Sequence, residues 1–148
     1  MSIYSDKAVE NFKQGYNCAQ SVFLAFAKDF GFDEETALKL SSSFGAGMGR
    51  LREVCGAVSS MFAIAGLKAG YVSPVDDEEK ARHYARIQSL AEEFKSKHES
   101  IICRELLGLP EGVDDPTPSV RTEQYYQERP CENFIRTAVE IIESQLLK

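Results

Sequence analysis

The sequence has no excess or cluster of basic residues: 17 Lys and Arg stand against 23 Asp and Glu, a formal charge of -6. The electrostatic footprint of a nucleic-acid binder is therefore missing. The first residues, MSIYSDKAVENFKQ, are polar and helical in pattern, so a secretory signal is not expected and a cytoplasmic protein is. No useful run alternates apolar with polar residues, and no internal repeat is visible, which argues against strands and solenoids. None of the four cysteines is paired as Cys-x-x-Cys, excluding both a thioredoxin-type redox pair and a zinc-ribbon knuckle. Any site made from these cysteines has to be assembled in space.

What is present is organised around Phe44 to Gly70, where a glycine-rich turn runs into a long apolar segment. Between Val54 and Leu67 there is no charge and only two serines, Ser59 and Ser60. Length alone would nearly let Val54 to Val72 cross a bilayer, which takes about 20 apolar residues. Lys68, the serines and the many small residues favour a buried central helix instead. A chain of 148 residues can bury most of a core without disulfide or metal support. The expectation is one domain, residues 1–148, all-α, a compact bundle of five to seven helices around the apolar element.

Apolar spacing and capping residues place the helices. Ala8, Val9 and Phe12 mark a short first helix that Gly15 ends, and Asn17 caps a second carrying Cys18, Val22, Phe23 and Phe26 up to Gly31. Asp33 caps a third, with Ala37, Leu38, Leu40 and Phe44 as its stripe. Asp76 and Glu79 open a long helix from about Asp77 to His98, and Ser100 opens a short one carrying Cys103. Pro110 to Pro130 holds four of the five prolines and reads as irregular chain that covers something or moves. Pro130 starts the last helix, with Cys131 in its first turn.

These boundaries put Cys18, Cys55, Cys103 and Cys131 at or near helix N-termini. There, unpaired amides and the positive end of the helix dipole favour a thiolate, which is both nucleophile and metal ligand. Arg50 or Arg52 near Cys55, Arg104 beside Cys103 and Arg129 before Cys131 would add to that bias. Each cysteine alone has the alternative of packing as a small inert hydrophobe.

The surroundings of these cysteines, GYNCAQSV, GAGMGRLREVCGAVSS, ICRELLG and RPCENF, resemble the redox-active protein family named for its C, CGAxxG, C, C pattern. The resemblance spans most of the chain from about Gly15. It implies a small helical prokaryotic protein, redox-active through its cysteines, often encoded near transporter genes, with no established substrate. One position departs: the last glycine of CGAxxG is Ser60, which leaves less room for close backbone approach there.

Three chemistries fit the set. Two thiols can cycle with a disulfide, Cys55 being the preferred nucleophile because a glycine-rich turn can leave its sulfur approachable. All four thiolates, Cys18, Cys55, Cys103 and Cys131, can instead ligate Zn or an iron-sulfur cluster, giving a structural site or electron transfer. The pocket can also take a small ligand or another cofactor. A non-enzymatic reading stands beside these: a binding or accessory protein, for a redox partner or a transporter component, with structural cysteines. Neither nucleic acid nor membrane is expected as a partner.

Other features carry less. GAGMG matches half of a dinucleotide fingerprint but follows a helical pattern and lacks the third glycine, so it reads as the turn that delivers Cys55. His83 and His98 are too far apart in sequence to chelate locally, and His98 is either solvated or within reach of Cys103. Tyr125 and Tyr126 anchor the proline-rich loop, which could also act as a lid.

Overall fold

The computed structural model describes residues 2–112 and 114–147. It is all-α. Six helices have nine residues or more: α1 (Ile3–Lys13), α2 (Cys18–Ala27), α3 (Glu34–Ser42), α5 (Gly56–Ala69), α6 (Asp77–His98) and α9 (Cys131–Gln145). Three shorter segments, α4 (Gly45–Met48), α7 (Cys103–Leu107) and α8 (Glu123–Glu128), lie between them. Among the described residues no helix is long and apolar enough to cross a membrane.

The sequence explains most helix ends. Asn17 caps α2 through the Gln20 amide, and the Gln20 side chain returns a bond to the Asn17 amide, closing a reciprocal capping box. Asp33 and Asp76 cap α3 and α6 in the same sense, each accepting from the amide three residues on. After α2 a single 3₁₀ turn, Lys28–Phe30, runs to Gly31 at φ 83°. Glycine accepts that left-handed backbone without a Cβ clash.

The apolar helix α5 is central, and it shares that place with α2. The latter packs on α1, α3, α5 and α9, while α5 packs also on α6 and α9. Phe23 and Phe26 from α2, Met61 and Ile64 from α5, Phe94 from α6 and Ile135 and Ile142 from α9 are sealed from solvent. Each such side chain contributes about 1.5–3 kcal/mol on burial. The last turn of α5 is exposed, with Leu67 42% accessible, so the buried part of the apolar segment stops near Ala65.

Ser60 sits at the α2–α5 contact, where its hydroxyl donates to the Ala19 carbonyl at 2.6 Å. The hydroxymethyl group that departs from the glycine pattern is thus absorbed by a buried hydrogen bond. By contrast α6 buries only Leu90 and Phe94 along its 22 residues. Its charged residues face water, as the sequence pattern implies.

Two irregular segments position the site. The first, Ala46 to Arg52, winds the wrong way: Ala46, Gly47, Met48, Gly49, Arg50 and Arg52 all have φ between 57° and 69°. A left-handed backbone costs a residue with a Cβ roughly 1–2 kcal/mol. Met48 and Gly49 nevertheless donate to the Phe44 and Gly45 carbonyls, and Glu53 to Gly47, which holds the turn closed. The second is an antiparallel bridge between Val54 and Ile102. The Cys55 amide donates to Ile101, and the Cys103 amide to Glu53, so the chains entering α5 and α7 run side by side.

Candidate functional site: a thiol pair in an arginine-lined cavity

Cys18, Cys103 and Cys131 are the first residues of α2, α7 and α9, and Cys55 is the residue before α5. All four line one cavity of about 260 Å³. The distant helix starts expected from the sequence therefore do converge. None of the cysteines is in a disulfide.

Cys18 and Cys55 are the intimate pair. The neighbouring Cys55 thiol favours the charged form of Cys18 most, and the amides of Ala46, Gly56 and Ala19 act in the same direction. Together these donors overcome burial and bring the Cys18 thiol down to about 6. The same contact acts oppositely on Cys55, whose acidity is weakened well beyond an ordinary thiol by its bond to Cys18, by burial and by the neighbouring charge. Amides of Ala57 and Val58 at the start of α5 work against that rise. Within the pair Cys18 is therefore the more acidic thiol and Cys55 the less acidic. The direction within the pair favours Cys18 over Cys55 as the thiolate, first through the contact between them and then through the amides, Ala46 among them, that meet the Cys18 sulfur.

Glycine makes this possible at two points. A Cβ on Gly56 would stand 2.5 Å from the Cys18 sulfur, and one on Gly47 would stand 2.7 Å from the Cys103 Cβ. Within GAGMG, the turn expected to deliver Cys55, Gly47 makes room for Cys103 and Gly45 for the Asn17 side chain.

Cys103 and Cys131 behave differently from the thiolates expected at helix starts. Burial raises Cys103, opposed by the Arg52 guanidinium, whose Nη1 lies 3.6 Å from the sulfur. Burial and the charge of Cys18 push Cys131 up to about 12, although Arg129 and Arg121 pull the other way. A helix dipole alone does not offset desolvation there. Arg104, adjacent to Cys103 in sequence, turns away to the carbonyls of Leu51 and Pro110.

Arg52 is almost wholly buried and reaches Asp114 with Nε at 3.0 Å and Nη2 at 2.7 Å. Arg50 reaches the same carboxylate oxygen at 3.1 Å and also bonds the Asp115 carbonyl and Ser119. These contacts pin the proline-rich loop, and Pro116, Pro118 and Ser119 line the cavity. The loop is a cover. Tyr126 anchors its far end through the Phe12 and Lys13 carbonyls, while Tyr125 turns to the cavity.

His98 is half-buried and turns to α9. Its Nε2 lies 2.8 Å from Thr137 Oγ1, its ring packs against Phe94 and Phe134, and burial lowers its basicity. His83 packs edge-on against Tyr71.

Among the described residues no group of three or more Cys, His, Asp or Glu side chains is gathered to hold a metal ion. The four-thiolate alternative for zinc or an iron-sulfur cluster finds no such group among them. Sequence reasoning missed Arg121 and Asp114 as parts of the site. No local spacing signals either, since Arg121 reaches Phe12 and Asp114 reaches Arg50 and Arg52 across long stretches of chain.

The profile of the family described as Putative redox-active protein (C_GCAxxG_C_C) matches residues 16–145. The chain belongs to this family. A redox-associated role follows at that general level. No curated protein and no solved structure is significantly similar to the chain. In this member of the family, the cysteine-glycine motif begins at Cys55 and ends at Ser60.

Proposed function

We propose that this member of the C_GCAxxG_C_C family is a thiol–disulfide redox protein in which Cys18 attacks and Cys55 resolves. The observation that carries this reading is the close approach of the Cys18 sulfur to the start of α5, 2.5 Å from where a Cβ on Gly56 would stand, in a cavity that Cys18 and Cys55 both line. An attacking thiol works best with a pKa near ambient pH, where it is largely ionised yet still nucleophilic.

The geometry supports a two-step exchange. The Cys18 thiolate attacks one sulfur of a substrate disulfide, forming a mixed disulfide and expelling the other half as a thiolate. Cys18 loses its charge in that step, so the influence that held the proton on Cys55 disappears. Cys55 then gives up its proton to the departing thiolate. The new Cys55 thiolate, supported by the Ala57 and Val58 amides, attacks Cys18 Sγ and releases the second half of the substrate. Two electrons have passed to the substrate, and a Cys18–Cys55 disulfide remains for a dithiol redox partner to reduce.

Oxidising the reduced protein with a small disulfide and mapping the product by mass spectrometry tests the assignment. The wild type should give a Cys18–Cys55 bridge, Cys55→Ser should accumulate a mixed disulfide on Cys18, and Cys18→Ser should give neither. A bridge involving only Cys103 and Cys131 would overturn it. An accessory protein with merely packed cysteines would show no bridge at all.

A further inference from the structure

The cavity above Cys18 is strongly biased in charge. Four of the eight arginines of an acidic chain line it, and among the described residues no Asp or Glu does. Two of them, Arg50 and Arg52, are answered by Asp114 at the rim. Arg121 and Arg129 have no carboxylate partner among the described residues. Instead both guanidinium groups lie over the Tyr125 ring, at 5.6 and 5.5 Å from its centroid. Arg121 is fixed further by the Phe12 ring at 4.6 Å and by the Phe12 carbonyl at 2.7 Å.

Aromatic faces hold these cations in place without neutralising them. The Arg129 guanidinium makes no hydrogen bond to the described protein, which leaves its planar fork of donors available to an anion. Small-molecule pockets usually measure roughly 300–1,000 Å³, so a cavity of this size suits a small substrate.

We infer that the substrate is a small disulfide bearing a carboxylate or similar anionic group, which Arg129 binds, with Arg121 adding charge, while the disulfide sulfur is presented to Cys18. This rests on the thiol-exchange reading and specifies its substrate. The exchange keeps the balance given above: the substrate S–S bond is replaced by a Cys18–Cys55 bond, two thiol halves leave, and the Cys55 proton goes to one of them. Arg129 acts as a binding residue, and it is not among the groups that set the acidity of Cys18.

The test compares the rates at which the reduced protein forms its Cys18–Cys55 disulfide with three small oxidants. These are 3,3′-dithiodipropionate, an anion; bis(2-hydroxyethyl) disulfide, which is neutral; and cystamine, a cation. A charge-assisted contact of ordinary strength gives the anion an advantage of about tenfold or more over the neutral compound. Cystamine should be slowest. Arg129→Gln should shrink the anion-to-neutral ratio severalfold, and Arg129→Lys should retain much of it. Using a ratio removes any general loss of folding or reactivity in the variant. Equal rates with all three oxidants, or an Arg129→Gln ratio equal to that of the wild type, would overturn the inference while leaving thiol exchange intact. Failure of all three to oxidise Cys18 would overturn both.

Discussion

Gly56 and Cys18 are in contact through an absent side chain: the space where a Cβ of residue 56 would project is filled by the Cys18 sulfur, 2.5 Å away. The same residue offers its amide to that sulfur. Gly56→Ala must therefore separate α2 from α5 or displace the sulfur from its amides. Overpacking of this kind costs about 1–3 kcal/mol, readable by urea denaturation. It should also raise the Cys18 pKa, followed through the pH dependence of alkylation. A variant with unchanged stability and unchanged alkylation would show that the contact is not needed.

The ionisation of Cys18 gives a pH signature. In the wild type, alkylation of Cys18 should rise with pH through an inflection at about 6. Cys55→Ala removes the main donor and should move that inflection upward, whereas Cys55→Ser keeps a hydroxyl donor and should move it less. Because the folded Cys18 pKa lies below the ordinary thiol value of 9.0, its contribution to stability is fully present above that value. It is lost as pH falls toward 6. Denaturation midpoints should accordingly climb between these limits in the wild type and flatten in Cys18→Ser.

Backbone handedness separates two neighbouring substitutions. Ala46 carries its Cβ at φ 57°, so Ala46→Gly relieves left-handed strain and should stabilise the fold by up to about 1 kcal/mol. Gly47→Ala does the reverse at φ 68° and also drives a Cβ into Cys103 and the Arg52 backbone. It should destabilise by more than Ala46→Gly stabilises. Thermal melts of the two variants provide the comparison, and equal melts would show that handedness does not govern this turn.

Asp114 is the carboxylate shared by Arg50 and Arg52, and those contacts keep it ionised to unusually low pH, with the Arg52 hydrogen bond the main cause. Asp114→Asn should free the proline-rich cover and leave the buried Arg52 poorly paired. Limited proteolysis should then cut between residues 111 and 122 faster than in the wild type. Unchanged cleavage would mean that the loop is held by Ser119 and the tyrosines alone.

Local chemistry made much of this legible in the sequence. Asn17, Asp33 and Asp76 announce the starts of α2, α3 and α6, and the apolar run after Cys55 announces a buried helix. The cysteines were found because each sits where a helix begins. Their inequality was not legible, because it depends on contacts between distant segments. The difference between Cys18 and Cys55 rests first on their mutual contact and then on which amides each sulfur meets. One of these, Ala46, lies in a left-handed turn containing four residues that ordinarily avoid it. Arg121 and Asp114 likewise gain their roles from contacts with distant segments, a relation that spacing along the chain does not encode.

The sparse anchoring of α6 divides the molecule into regions of unequal tenacity. Its first thirteen residues, 77–89, contribute no buried side chain, whereas the two helices flanking the thiol pair are embedded along most of their lengths. Amide protons in that outer half should exchange through local opening, long before those of α2 and the inner turns of α5. The outer end of α6 can consequently fray, bear a label or accept an inserted peptide while the sulfur chemistry stays insulated from the disturbance.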